Sequence, residues 1–234
     1  FHISQKRCAL RILLAVFACI SLLGCVQIRD EKLPQKAVQL PQELYESLKL
    51  PRPQSYFVDY TRMRKSFNVL CERDSLPLIE IEPPELSVPL EKLHRNIALN
   101  THNTDALEPL PNAYWAEPLE LMLQKHFARI LPRACYRTTR LASEDADYRL
   151  LSHVHDFSIF ADANDNGLRG VVEMEFWLLA PKSGEVMRWR LSAQQDIGAP
   201  YDTKAAVESI NKAFSRIVES NFMQLAAIVQ EQER

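Results

Sequence analysis

One segment carries oxygen side chains in a spacing typical of calcium ligands. Asp162, Asn164 and Asn166 alternate with other residues, Gly167 follows, and Glu173 stands where the calcium-loop pattern requires a bidentate carboxylate. The flanking residues, however, alternate as strands do, and a hairpin loop also requires Asp, Asn and Gly. We therefore interpret the segment as a turn, with a calcium site as the alternative.

Two other pairs of side chains could do chemistry. His153 and His155 share one face of a predicted strand and could contact one metal ion, but a zinc site needs further ligands and none has a suitable spacing. Glu173 and Glu175 could act as the carboxylate pair of a hydrolase, although nearby arginines favour a solvated ladder of charges. His126 lies beside an apolar stripe and is interpreted as a packed residue. We predict no catalytic residue, no metal site and no cofactor.

Cys25 is the cysteine with the most informative context. It comes just after an apolar run, residues 12–23, which itself follows Lys6, Arg7 and Arg11. The run is shorter than the roughly 20 residues of a membrane span, and its charged start is typical of a secretory signal. The residues Leu22-Leu23-Gly24-Cys25 look like a lipobox, whose cysteine is acylated after cleavage. We expect residues 1–24 to be a signal peptide and Cys25 the lipidation site; an ordinary signal peptide or a short anchor is the alternative.

Cys71 and Cys135 lie in the part of the chain expected beyond the cytoplasmic membrane. The oxidising periplasm permits a disulfide between them. Sequence separation carries no geometric information, and two separate buried thiols are the favoured interpretation.

Composition argues against several classes of function. Residues 1–24 hold three basic and no acidic side chains, so the rest has 25 Lys and Arg against 30 Asp and Glu, a net charge of −5. No basic block suggests nucleic acid. Five glycines leave little room for a phosphate-binding loop, and neither a P-loop nor a dinucleotide fingerprint is present.

The remaining chain is predicted to form a lipidated tether, residues 25–54, and one domain, residues 55–234. The tether contains several prolines and is predicted to have at most one short helix, near residues 42–48. Hydrophobic periodicity predicts strands at 56–60, 78–82, 96–100, 148–160, 171–179 and 186–191, and helices at 115–131 and from Asp202 to about residue 230. This order predicts an α+β fold, with a mostly antiparallel or mixed sheet and two main helices on one face.

The last two predicted strands form a hairpin around residues 181–184. Alternation permits a register that sets Phe176 beside Trp189, Glu175 beside Arg190 and Trp177 beside Arg188. Phe176 then faces the core. Trp177, flanked by charges, is a candidate contact for a partner, although packing against Arg188 is the favoured interpretation.

The order of these features resembles the ABC-type transport auxiliary lipoproteins, the PqiC-like family. The similarity covers roughly residues 55–228, and each motif is loose by itself. In order, the shared features are the lipobox at Cys25, the aromatic strand 56–60, a Pro-broken strand near 79–88, the helix opening on Tyr114-Trp115-Ala116-Glu117-Pro118-Leu119, the strand Asp147-Tyr148-Arg149-Leu150 with Phe157, the hairpin, and a helix with Ala205-Ala206-Val207 and Asn211-Lys212-Ala213. The longer linker before the first strand and the stretch 91–111 depart from the family pattern.

The resemblance implies a non-enzymatic lipoprotein that serves an MCE-type lipid transport system. Its partners would be a periplasmic MCE subunit, the membrane through the lipid anchor, and further copies of itself in a homo-oligomer. Val26 after Cys25, rather than Asp, is typical of sorting to the outer membrane. Two alternatives belong to other classes: an outer-membrane carrier or chaperone that binds lipid in its own cavity, and a calcium-dependent envelope enzyme.

Overall fold

A computed structural model describes residues 44, 46–47, 53–58, 76–101, 106–161, 167–197 and 202–231. All of them lie in the unit Lys36–Arg234. The predictions for Cys25, Cys71 and the loop residues Asp162 to Asn166 fall outside these ranges.

The described residues form one sheet of nine strands, three α-helices and a short 3-10 turn, and residues 44, 46 and 47 are also helical, as predicted near residues 42–48. The strands are β1 (Gln54–Tyr56), β2 (Leu78–Ile81), β3 (Glu85–Leu86), β4 (Asn96–Asn100), β5 (Glu108–Trp115), β6 (Arg137–Thr139), β7 (Tyr148–Ala161), β8 (Leu168–Ala180) and β9 (Glu185–Asp196). The helices are α1 (Val88–Leu93), α2 (Leu119–Ile130), which continues into a 3-10 turn (Leu131–Ala134), and α3 (Thr203–Glu231).

Strand β7 organises the sheet. Along one edge it pairs in parallel with β2, β3 and β4, and along the other it pairs antiparallel with β8, which pairs antiparallel with β9. Strand β5 runs antiparallel to β4 and parallel to β1, while β6 runs parallel to β2. The predicted α+β fold with a mixed sheet is therefore confirmed.

The β8–β9 hairpin has the predicted register. Phe176 lies opposite Trp189, Glu175 opposite Arg190, and Trp177 opposite Arg188. Phe176 is fully buried, whereas Arg188 and Arg190 are exposed. Alternation of apolar and charged residues thus set the register, because a slip of one residue would bury the arginines.

Both main helices pack on the face of the sheet that carries Phe176. The ring of Phe127 in α2 lies 5.7 Å from that of Phe176 and 6.1 Å from that of Phe214 in α3. Phe214 also contacts Phe157 of β7 at 5.7 Å. These edge-to-face contacts place the centre of the core between β7, β8 and the two helices.

Helix α3 begins as the sequence predicts. The Asp202 carboxylate accepts a hydrogen bond from the backbone N–H of Ala205 at 2.7 Å, which is an N-cap contact. The Ser47 hydroxyl also accepts from the backbone N–H of Thr203 at 3.1 Å. Leu44, close to Ser47 in sequence, is fully buried. Part of the segment predicted as a tether therefore contributes to the core and to the start of α3.

The start of α2 was predicted wrongly. The predicted helix began at residue 115, but Trp115 ends β5, where it pairs with Tyr56, and α2 begins after Pro118. Strand β5 was missed because Pro109 and Pro111 argue against a strand in isolation. Its neighbours β1 and β4 supply the pairing that local sequence does not reveal.

Two predicted strands differ from the structure. The aromatic strand predicted at 56–60 is β1, which ends at Tyr56, and Phe57 and Val58 continue without strand pairing. In β2, the alternation of apolar and acidic residues predicts a half-buried strand, but Glu80 is only 5% exposed. It accepts a hydrogen bond from the backbone N–H of Ser143 at 3.0 Å and lies 3.3 Å from the guanidinium of Arg149, which compensates the burial of its charge.

Candidate functional site

The hairpin and β7 present a second sheet face, turned away from α2 and α3. Because successive side chains of a strand alternate, packing Phe176 against the helices directs its neighbours to the opposite side. We call this side the outer face and define it by His153 and His155 of β7, Glu173, Glu175 and Trp177 of β8, and Arg188 and Arg190 of β9.

Arg188 makes two contacts at the centre of the outer face. Its Nε donates a hydrogen bond to the carboxylate of Glu175, and its guanidinium lies 5.5 Å from the ring centroid of Trp177. The packing of Trp177 against Arg188 that the sequence favoured is therefore present. Arg188 keeps 64% of its side chain exposed. A cation that is both oriented and exposed is suited to bind a partner, because less conformational entropy is lost on association.

The predicted ladder of charges is only partly right. Glu173 pairs with Arg190, and both side chains are accessible. Glu175 pairs with Arg188, its diagonal neighbour, and its side chain is only 8% exposed, so it is not solvated as predicted. The twist of the hairpin brings diagonal side chains within reach of a long arginine. The hydrogen bond from Arg188, with a smaller contribution from His155, lowers the pKa of Glu175 below its ordinary value.

The two histidines lie together at an irregularity in β7. Their ring centroids are 4.6 Å apart. The pairing of β7 with β8 shifts between Val154 and Asp156, so His155 is the extra residue of a β-bulge. Nε2 of His155 lies 3.2 Å from a carboxylate oxygen of Glu175. The bulge thus joins the histidine pair to the ion pair formed by Glu175 and Arg188.

Asp156 follows the bulge and lies opposite Glu173. Burial raises the pKa of Asp156 to about 6, and the negative charge of Glu173 contributes in the same direction. Sequence reasoning did not single out Asp156. Little in the sequence points to Asp156, because the alternation of side chains along β7 does not reveal the bulge that places Asp156 beside Glu173.

Some of the side chains predicted as possible metal ligands lie within the described residues. Glu173, the last residue of the calcium pattern, lies within β8 and pairs with Arg190. The structure brings His153 and His155 together, and Nδ1 of His153 lies 3.8 Å from a carboxylate oxygen of Glu85. Within the described ranges, no group of three or more His, Cys, Asp or Glu side chains is arranged to hold a metal ion.

Cys135 lies just after the 3-10 turn, in the left-handed backbone region, and is disulfide-bonded. Its partner lies outside the described residues. The interpretation of Cys135 as a separate buried thiol was therefore wrong, for a reason that sequence could not supply: the distance between two cysteines depends on the tertiary fold.

A second candidate site is a cavity of about 400 Å³ beside α2, which we call the α2 pocket. Its described lining residues are Phe57, Val58, Glu117, Met122, Lys125, His126, Ala128, Arg129 and Arg140. His126 is buried, with its ring 5.2 Å from that of Phe214, so the predicted packing of this histidine is confirmed. The same residue forms part of the pocket wall.

Sequence reasoning missed the α2 pocket. Lys125 and Arg129 are four positions apart and so share one side of α2, but a basic pair of this kind is usual on a solvated helix surface. Phe57 and Arg140 come from distant parts of the chain. Nothing in the sequence indicates that they meet α2 at the same place.

Comparisons with known proteins bear on the fold. No protein-family model matches the sequence, and no curated protein matches it significantly. Among the helices of the described residues, none has both the length and the apolar character needed to cross a membrane.

One solved structure shares the fold at low sequence identity, and two others are less similar. The crystal structure of protein XCC0632 from Xanthomonas campestris, of family model DUF330, matches with a TM-score of 0.61 and 16% identity, over 78% of this chain and 98% of that one. An uncharacterized protein matches with a TM-score of 0.48 and 15% identity, over 68% and 92%. Lipoprotein GNA1162 from Neisseria meningitidis matches with a TM-score of 0.34 and 11% identity, over 62% and 99%. The first of these matches shows a common fold.

Proposed function

We propose that this protein is a lipid-anchored protein of the bacterial envelope that acts by binding a protein partner. In this proposal Cys25 carries the lipid, and the folded unit faces the periplasm from the outer membrane. The partner is the MCE-type periplasmic subunit of an ABC-linked lipid transport system. The signal sequence, the lipobox and the order of elements that resembles the auxiliary lipoproteins support this assignment.

The contact between Arg188 and Trp177 is the observation that best supports a binding function. Tryptophan and arginine are enriched at the centres of protein interfaces. Here the two side chains lie on a sheet face opposite the helices, and Glu175 holds the guanidinium in one orientation. A surface that is already ordered binds more tightly than one that must become ordered.

The charges of the outer face also favour binding over catalysis. Glu173 and Glu175 each face an arginine, so neither is placed as a free general base. The hydrogen bond from Arg188 lowers the pKa of Glu175, so this carboxylate resists protonation. The arrangement therefore supports recognition of a complementary surface rather than transfer of protons.

Affinity purification from the bacterium of origin tests this function. A tagged wild-type chain should recover an MCE-type subunit, and a variant with Trp177→Ala and Arg188→Ala should recover much less. Met223→Ala is the matched control, because Met223 is 58% exposed on α3 and lies outside the outer face. Equal recovery by the double variant and the control would reject the outer face as the contact.

A second outcome would favour a different class of function. A lipid carrier should come out of the membrane with stoichiometric phospholipid and without an MCE partner. Lipid extraction and mass spectrometry of the same purified sample separate the two cases. Recovery of lipid alone would replace the auxiliary-subunit assignment with the carrier.

A further inference from the structure

The α2 pocket combines cationic and apolar side chains in one cavity. Among its described lining residues, Lys125, Arg129 and Arg140 are cations and Glu117 is the one carboxylate. Glu117 forms an ion pair with Lys125. Among the described lining residues, Arg140 adds a positive charge beyond the Lys125–Glu117 pair, although the chain beyond residue 24 has a net charge of −5. Charge complementarity favours an anion at this site.

Arg140 is the cation best placed to receive an anion. It is exposed, lies after β6, and has no ion-pair partner among the described residues. Its planar guanidinium presents several donors in a fixed geometry that suits phosphate and carboxylate groups. An anion in the pocket would complete the pairing of this side chain.

The apolar lining residues of the α2 pocket favour a ligand with an apolar part over a simple inorganic anion. Phe57 leaves 64% of its surface exposed, and Met122 and Val58 also line the cavity. An exposed aromatic ring gains stability when an apolar group displaces water from it, in proportion to the area covered. The pocket therefore matches a ligand that joins an anionic group to an apolar chain.

The volume of the cavity limits how much of such a ligand it can enclose. About 400 Å³ falls within the usual range for small-molecule sites. At roughly 30 Å³ for each water-sized group, it holds about a dozen non-hydrogen atoms. That is enough for an anionic headgroup and the first part of one chain, and too little for a complete two-chain lipid.

We propose that the α2 pocket binds an amphiphilic anion, with the anionic group at Arg140 and Lys125 and the apolar chain against Phe57 and Met122. Such an amphiphile is either a free single-chain molecule or the headgroup region of a membrane lipid, since both present the same chemistry. The proposal does not depend on the transport function, because the pocket and the outer face are formed by different residues.

Binding of short-chain lysophosphatidylglycerol to the full acylated chain, held in phosphatidylcholine nanodiscs, tests the proposal. Empty nanodiscs give the background, while lysophosphatidylcholine and inorganic phosphate are the comparison probes. We expect lysophosphatidylglycerol to bind at least about tenfold more tightly than either, since it alone has both the net charge and the chain. Equal affinity for lysophosphatidylcholine or for phosphate would overturn the proposal.

Three variants locate the site. Arg140→Gln and Phe57→Ser should each weaken binding about tenfold or more, and because both side chains are exposed, neither change should unfold the protein. Arg133→Gln is the matched control, since Arg133 is exposed in the 3-10 turn after α2 but does not line the pocket. An affinity unaffected by Arg140→Gln and Phe57→Ser would place the ligand elsewhere and reject the α2 pocket.

A competition experiment separates the two sources of the ligand. If the pocket takes headgroups from its own bilayer, adding phosphatidylglycerol to the nanodisc should weaken the apparent affinity for the soluble probe. If the ligand is a free amphiphile, the bilayer composition should leave that affinity unchanged. Either result supports the amphiphile chemistry, and the absence of probe binding in both nanodiscs contradicts it.

Discussion

Gly170 of β8 lies directly against the backbone of Ile210 in α3. A Cβ atom at position 170 would be 2.3 Å from the backbone nitrogen of Ile210 and 2.5 Å from the carbonyl carbon of Ser209. Real side chains do not approach backbone atoms so closely. The absence of a side chain at Gly170 therefore allows α3 to pack against the sheet at this point.

Gly170→Ala should destabilise the protein by about 3 kcal/mol or more, the upper end of the range for overpacking, because the obstacle is backbone and cannot rotate away. Urea denaturation followed by circular dichroism measures the change. Gly184→Ala is the control: apart from its chain neighbours, no atom of the described residues lies within 4 Å of the added carbon, but its φ of 74° should cost about 1–2 kcal/mol. A larger loss at Gly184 than at Gly170 would contradict the close packing of α3.

Phe176→Ala should lower the free energy of unfolding by about 3–5 kcal/mol. The side chain is fully buried, and its ring contacts Phe127 and the stacked ring of Trp189. Glu173→Ala, on the opposite face of β8, should cost under about 1 kcal/mol because it removes an accessible ion pair. Denaturant midpoints of the two variants give the comparison, and the reverse ranking would mean that the two faces of β8 are inverted.

Alternation and capping made much of this fold predictable. The register that sets Phe176 opposite Trp189 follows from keeping Arg188 and Arg190 out of the core. The start of α3 follows from the capping side chain of Asp202. Both features depend on residues that are close in sequence or on one hairpin, so local pattern is sufficient.

Features that depend on distant pairing were not predictable. Strand β5 contains two prolines and exists because β1 and β4 pair with it on either side. The burial of Glu80 depends on Arg149 and Ser143, which β7 and the segment before it bring close. The α2 pocket joins Phe57 and Arg140 to α2 for the same kind of reason. No local periodicity encodes contacts of this type.

Asp156→Asn should stabilise the protein at about pH 8 and leave its stability unchanged near pH 4. The folded pKa of Asp156 is about 6, above its ordinary 3.8, so the folded state binds an extra proton between these values. Stability therefore falls as the pH rises through this interval. The difference in pKa corresponds to as much as about 3 kcal/mol. Urea denaturation of both proteins at several pH values measures the effect.

Asp147 supplies a control of the opposite sign. Its pKa is lowered, chiefly by a hydrogen bond from Lys182 at 2.7 Å, so its contribution is present above its ordinary pKa and is lost as the pH falls. Asp147→Asn should therefore destabilise the protein near pH 8, where Asp156→Asn stabilises it. Shifts of the same sign in both variants would refute the burial of the Asp156 charge.

Cys135→Ser should lower the free energy of unfolding by about 2–5 kcal/mol under oxidising conditions, because it removes a disulfide. With a reductant present, wild-type and variant should differ little. Peptide mapping without reduction should identify the partner, for which we expect Cys71, the other cysteine beyond the predicted lipobox. A free thiol at Cys135 in unreduced protein would contradict the disulfide.

Cys25→Ser should release the protein from membranes. The predicted lipobox makes the thiol of Cys25 the attachment point for acyl chains, and each buried methylene of such chains contributes about 0.8 kcal/mol to membrane binding. Fractionation after a high-salt wash, with metabolic labelling by palmitate, measures both attachment and acylation. Cys71→Ser is the matched control and should remain labelled and membrane-bound. Retention of the unlabelled Cys25 variant in the membrane would instead identify an uncleaved signal helix as the anchor.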